Sequence, residues 1–216
     1  MPGIVVFLGP SLSRAKAEHI LEADYRPPAK RGDIYQAAKE GAEIICLIDG
    51  VFFQDCSVAH KEVLFALEGG ARVIGASSMG ALRASELDVY GMEGIGLIYE
   101  AYKSGHLVSD DEVALIFDPF TWEPLSEPLV NIRFNLDLAL LRGAIKTPTR
   151  DKLFRYAESI YFPERTYERM MKEAEGQVSE GELQHFREFL AKEKRDFKME
   201  DACLALQRLL VIANVR

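Results

Sequence analysis

Residues 72–87, Arg72-Val-Ile-Gly-Ala-Ser-Ser-Met-Gly-Ala-Leu-Arg-Ala-Ser-Glu-Leu87, decide how this chain is read. Arg72–Gly75 has β-branched residues before a glycine, the mark of a short buried strand. Met79–Leu87 is rich in strong helix formers, among them Ala81, Leu82 and Ala84. Between them lies Ala76-Ser77-Ser78-Met79-Gly80, a strand-to-helix turn with serine at its apex. It is close to the nucleophile elbow of acyl-transfer enzymes, with alanine in place of the first glycine. Such a turn lifts a hydroxyl to the sheet edge and starts a helix whose first N–H groups are free to stabilise an oxyanion. Serine is also a favoured helix N-cap, so Ser77 or Ser78 equally suits a capping role.

Outward from this turn, strands and helices alternate. Gly3–Leu8 predicts a first strand, followed after Gly9-Pro10-Ser11-Leu12-Ser13 by a helix to about Leu21. Pro27 and Pro28 exclude regular structure through their segment. Asp33 is placed to cap a helix over Ile34–Glu40, Ala42–Ile48 is a second strand, and Val58–Glu68 is a helix stopped by Gly69-Gly70. The pattern predicts an α/β fold: a Rossmann-like parallel sheet with helices on both faces, followed by a helical C-terminal region. In such sheets ligands bind beyond the carboxyl ends of the strands. The loops there are Gly9–Ser13, Asp49–Asp55 and Ala76–Gly80, each with hydroxyl or carboxylate groups and a glycine.

From Asn131 onward the periodicity is helical, over Ile132–Arg142, Arg150–Ile160, Glu164–Glu175, Glu180–Lys194 and Glu200–Val211. Charge changes at the same place. Residues 1–131 carry 10 Lys and Arg against 20 Asp and Glu, a balance of −10; residues 132–216 carry 16 against 14, a balance of +2. A core domain over 1–131 and a helical region over 132–216 are therefore expected. The acidic front half argues against nucleic-acid binding, which needs a basic surface. The apolar start is too short for a membrane span and has no basic region before it, so neither a signal peptide nor a membrane anchor is expected. Cys46, Cys56 and Cys203 form no C-x-x-C pair, which points to a reducing cytoplasm with no disulfide framework or zinc site.

Other candidate chemistry is weaker. Tyr90-Gly-Met-Glu-Gly-Ile-Gly96 has the wrong order for a phosphate loop and follows a helix. Asp110-Asp111-Glu112 precedes Val113–Phe117, expected to be a strand. Adjacent side chains there alternate faces, so a solvated turn or a charged rim is favoured over a metal site. His19 and His185 lie on amphipathic helices and His106 in a loop. His60 opens the helix after the second strand, beside the edge where Ser78 is expected; it suits a general base or a solvent-facing helix-start residue. Asp49 and Glu62 are candidate carboxylates to orient it, Asp49 the better placed. Arg83, one turn into the elbow helix, suits a substrate carboxyl group or a pair with Glu86.

Gly9-Pro10-Ser11-Leu12, Pro27-Pro28 with Arg31-Gly32-Asp33, Ile48-Asp49-Gly50-Val51-Phe52, Asp110-Asp111-Glu112 and above all Gly75–Leu87 resemble the TfuA-like family over about residues 3–130. The resemblance implies a partner of YcaO enzymes, which use ATP to activate backbone amides and with TfuA install thioamides. It further implies hydrolysis of the thiocarboxylated C-terminus of a ThiS-like sulfur carrier to release sulfide, or recruitment of the YcaO protein as a non-catalytic adaptor. Apart from the resemblance, the residues themselves lead to no expected metal or cofactor. The residue roles follow from the turn itself. Ser78 is the nucleophile or carbonyl polariser, His60 the base and Asp49 its orienter. The Met79 and Gly80 N–H groups form the oxyanion hole with Ser77 adjoining, Gly9, Pro10 and Ser11 the opposite wall, and Arg83 a grip on the carrier's terminal charge.

Overall fold

A computed structural model describes residues 3–52 and 56–214, and the chain divides into two compact units. The first comprises residues up to Asp110 together with Lys198 onward; the second is Asp111–Phe197. Asn131, where the charge balance changes, lies in a helix of the second unit.

In the first unit the elements run β1 (Ile4–Phe7), α1 (Arg14–Ile20), β2 (Asp24–Arg26), α2 (Asp33–Lys39), β3 (Ile44–Leu47), α3 (His60–Glu68), β4 (Arg72–Ala76), α4 (Met79–Leu87), β5 (Glu93–Ile95) and α5 (Leu97–Lys103). The strands form one parallel sheet in the order β2-β1-β3-β4-β5. Alternating side chains feed two cores. Ile4, Val6, Leu8, Ile44, Cys46, Ile48 and Ile74 face one side with Ala17 of α1. Val5, Phe7, Ile45, Leu47 and Val73 face the other with Ile34, Val63, Ala66 and Ala84 of α2, α3 and α4. Helices therefore cover both faces, as the buried apolar strands require.

β2 and β5 escape the sequence reading. Asp24-Tyr-Arg and Glu93-Gly-Ile carry no apolar run, because they are edge strands with solvent on one side. Val113–Phe117, expected as a strand, is not one. Asp110–Glu112 forms a 3₁₀ turn, and a single antiparallel bridge joins Phe117 to Pro124. Pro119 and Pro124 remove the donors a ladder needs.

The second unit holds α6 (Leu129–Leu141), α7 (Thr147–Ser159), α8 (Tyr167–Glu173) and α9 (Glu180–Glu193), packed around Ile132, Leu136, Leu153, Met170 and Phe186. Thr166 and Ser179 cap α8 and α9 by accepting the N–H groups of Arg169 and Glu182. The last helix, α10 (Phe197–Asn214), sends Ala202, Ala205, Leu206, Leu209 and Ile212 into the sheet core beneath β1, β3 and β4. Among the described residues, no helix is long and apolar enough to cross a membrane.

Candidate functional site

The strand order reverses direction between β1 and β3, and ligands of doubly wound sheets sit in the crevice at such a point. The loops after β1, β3 and β4 converge there through one carboxylate. Asp49 Oδ2 accepts the N–H groups of Gly9 (2.9 Å) and Ser11 (3.1 Å), and Asp49 Oδ1 accepts the Ser11 hydroxyl at 2.6 Å. Ser11 Oγ in turn accepts the Ser77 hydroxyl at 2.9 Å. All three side chains are buried, so the relay Ser77–Ser11–Asp49 is a fully paired polar network that fixes the loops to one another. Residues 53–55, the far end of the loop after β3, lie outside the described residues.

The serine turn has an unusual backbone. Ser77 has φ of 66°, and the Ser78 N–H donates to the Ala76 carbonyl across it at 2.8 Å. A three-residue turn of this sense is rare and strained, costing on the order of 1–3 kcal/mol. The bend falls on Ser77, one residue before the position at which an elbow motif puts its nucleophile. Two glycines let helix α4 start hard against the sheet. A Cβ on Gly80 would lie 1.7 Å from the Leu47 carbonyl oxygen, and one on Gly75 would lie 2.2 Å from that of Gly80.

Ser78 occupies the N-cap position of α4 without a side-chain capping bond. Its hydroxyl has no hydrogen-bond partner among the described residues, though the residue is only 2% exposed. The Met79 N–H is likewise uncommitted among them, while the Gly80 N–H donates to the Ile48 carbonyl at 3.2 Å. Of the two amides expected to form an oxyanion hole, Gly80 is thus taken up by the sheet and Met79 is available.

The histidine lies elsewhere. His60 Nε2 is 2.9 Å from Glu86 Oε2, and the Glu86 carboxylate also receives Arg83 at 2.8 Å. Arg83 further donates to the Val58 carbonyl. Asp49 is occupied by Gly9 and Ser11 rather than by His60. Glu62 accepts the N–H groups of Ala59 and Gly32, closing the start of α3 and the turn before α2. The expected Asp49–His60–Ser78 line is therefore replaced by two separate clusters, Asp49–Ser11–Ser77 and His60–Glu86–Arg83. A cavity of about 380 Å³ adjoins the second, lined by Met79, Leu82, Arg83, Glu86, Ser109 and Asp110 among others. The Gly9–Ser11 wall is tight: a Cβ on Gly9 would meet Pro28 at 2.4 Å, and Pro10 is half-buried.

Two acids of the run, Asp111 and Glu112, are structural. Asp111 pairs with the buried Arg165 at 2.6 Å, and the two Glu112 oxygens accept Nε and Nη2 of Arg133. Among the described residues, no group of three or more His, Cys, Asp or Glu side chains is placed to hold a metal ion. His19, His106 and His185 are exposed. The sequence hid Ser11 as a partner of Asp49 and Ser77 as a partner of Ser11, since the contacts span 38 and 66 residues. The only sequence signal was the hydroxyl and glycine content of the three loops. Glu86 was within reach of sequence reasoning as a partner of Arg83, but not of His60, which is 26 residues away.

A family model described as TfuA-like protein matches residues 49–166. The matched span begins at Asp49, contains the whole serine turn and extends into the second unit. A search of curated proteins gives no match.

Proposed function

The chain belongs to the TfuA-like family, and from that premise we propose that it acts beside a YcaO enzyme in backbone thioamidation, hydrolysing the thiocarboxylated C-terminus of a ThiS-like carrier to release sulfide. The observation that carries this reading is the pairing, at the mouth of α4, of an unbonded Ser78 hydroxyl with an uncommitted Met79 N–H, on a turn whose neighbouring polar groups are all spent. In this reading the thiocarboxylate carbonyl oxygen receives the Met79 N–H. Ser78 polarises the carbonyl or adds to its carbon. Water then supplies the oxygen of the product: R–COS⁻ and H₂O become R–COO⁻ and H₂S, the C–S bond breaking as C–O forms. Asp49, Ser11 and Ser77 act as the frame of the site. Arg83, part-neutralised by Glu86, faces the adjoining cavity and would meet an anionic tail there.

The test is the mass of a thiocarboxylated carrier incubated with this protein alone. Wild type is expected to convert thiocarboxylate to carboxylate, and Ser78→Ala to lose at least ~100-fold of that rate. His60→Ala is expected to keep activity within about tenfold, because its ring is held by Glu86; a loss of ~100-fold would return His60 to the mechanism as base. A second reading, a non-catalytic adaptor that docks on YcaO, is favoured by the 2% exposure of Ser78. It predicts no sulfide from either protein alone and faster thioamidation when YcaO is added.

A further inference from the structure

Residues 104–132 contain six Asp and Glu and no Lys or Arg. Within this stretch, in the second unit, Phe117–Pro124 forms a tight hairpin that holds an aromatic side chain out in water. The Asp118 carboxylate accepts the N–H groups of Phe120 (2.8 Å) and Thr121 (2.9 Å), while the Asp118 N–H donates to Glu123 and the Trp122 N–H returns to Asp118. Those two amide donors hold the Asp118 carboxyl below its usual range. The hairpin's feet are tied by the Leu125 N–H to Ile116 and by the Ile116 N–H to the Ser126 hydroxyl. The Trp122 ring lies 5.4 Å from that of Phe117. At the tip Phe120 is 90% exposed, and Leu125 beside the feet is 58% exposed.

A loop that keeps a phenylalanine in water pays a hydration cost without gaining packing within its own unit. Its internal hydrogen bonds favour one backbone shape, which lowers the ordering cost of binding. Aromatic anchors of this kind, seated in a partner's pocket, dominate binding energy in protein interfaces. Charge selects the partner. Asp111, Glu112 and Glu127 are neutralised by Arg165, Arg133 and Lys194, but Asp118 and Glu123, which flank Phe120, have no cationic partner among the described residues. An anionic membrane or a nucleic acid would be repelled, and a second copy of this loop would bring acid against acid. We propose that the Phe117–Leu125 hairpin is a docking knob that inserts Phe120 into an apolar pocket rimmed by Lys and Arg on a partner protein. The partner tested is the YcaO enzyme, so the assignment rests on the reading above.

The experiment measures association of the full chain with the YcaO protein of the same organism, by calorimetry and by stopped-flow at two salt concentrations. Phe120→Ala is expected to weaken binding at least ~30-fold, chiefly through faster dissociation. Glu123→Lys is expected to slow association and flatten its salt dependence. Both variants should keep the wild-type melting temperature and, acting alone, the wild-type rate of carrier desulfuration. Wild-type binding with an unchanged affinity for Phe120→Ala overturns the docking knob and leaves the proposed function standing. Failure of the wild type to bind YcaO at all overturns the partner reading and the knob with it. Phe120→Ala that instead loses self-association, or binding to the thiocarboxylated carrier, also overturns the proposal.

Discussion

Ser77 combines a left-handed φ of 66° with a hydroxyl donated to Ser11, so its side chain and backbone pull in opposite senses energetically. The hydrogen bond to a buried acceptor is worth on the order of 1–2 kcal/mol, and a non-glycine residue at this φ costs a comparable amount. Ser77→Ala should therefore keep the strain, lose the bond and destabilise by about 1–2 kcal/mol. Ser77→Gly should relieve the strain while losing the same bond, and end closer to wild type. Urea unfolding of the two variants checks the order; a glycine variant less stable than the alanine variant would show that the turn is not strained. At this scale the sequence conveyed that a serine sits at the bend. It did not say which of the two serines, because φ at Ser77 is set by where α4 must begin against the Leu47 carbonyl, a constraint expressed through Gly80.

At the scale of elements, α5 is started by a residue 104 positions away. The buried carboxylate of Asp201, on α10, accepts the N–H groups of Leu97 and Ile98 at 2.9 and 2.8 Å. Gly96 at φ of 100° makes room for it, since a Cβ there would lie 2.2 Å from the carboxyl carbon. Burial pushes the Asp201 carboxyl up to about 6 from 3.8, outweighing the two amide donors, which lower it. The folded state thus binds this proton more tightly than the unfolded chain does. The stabilisation is fully present below pH 3.8, declines as pH rises through about 6 and is gone above it. The change is about 3 kcal/mol. Asp201→Asn should remove that slope. Unfolding free energies measured from pH 4 to 7 should fall more for wild type than for the variant, and parallel curves would reject the assignment. No periodicity reading could find this cap, because N-cap signals are sought within a few residues of the helix they serve.

Across the whole molecule, the C-terminal helix completes a core begun at the first strand. Leu206 and Leu209 are fully buried with Val6, Cys46 and Ile74. Burial also pushes the Cys46 thiol up to about 12, so it behaves as a small hydrophobe. Leu206→Ala should cost about 2–5 kcal/mol and expose the sheet to proteolysis, although it lies over 120 residues from β4. A variant with unchanged stability would mean that α10 contributes nothing to that core. The second unit answers to its own packing, with Arg165 buried and bonded to the carbonyls of Ala157 and Ile160 as well as to Asp111. Removing that side chain would strand the groups it satisfies, which is why Asp111 reads as structure.

The residues by themselves determined the parallel sheet, the helices on its two faces and the serine turn. Each is written in local periodicity and in glycines at strand and helix ends, and local sterics act over only a few residues. The family is written there too, in a motif contiguous enough to read. What only the tertiary structure decided is which side chains meet: Asp49 with Ser11 rather than His60, His60 with Glu86, and α10 with β1. Those choices depend on strand order and on which donors each buried carboxylate must satisfy, and both are properties of the folded chain as a whole.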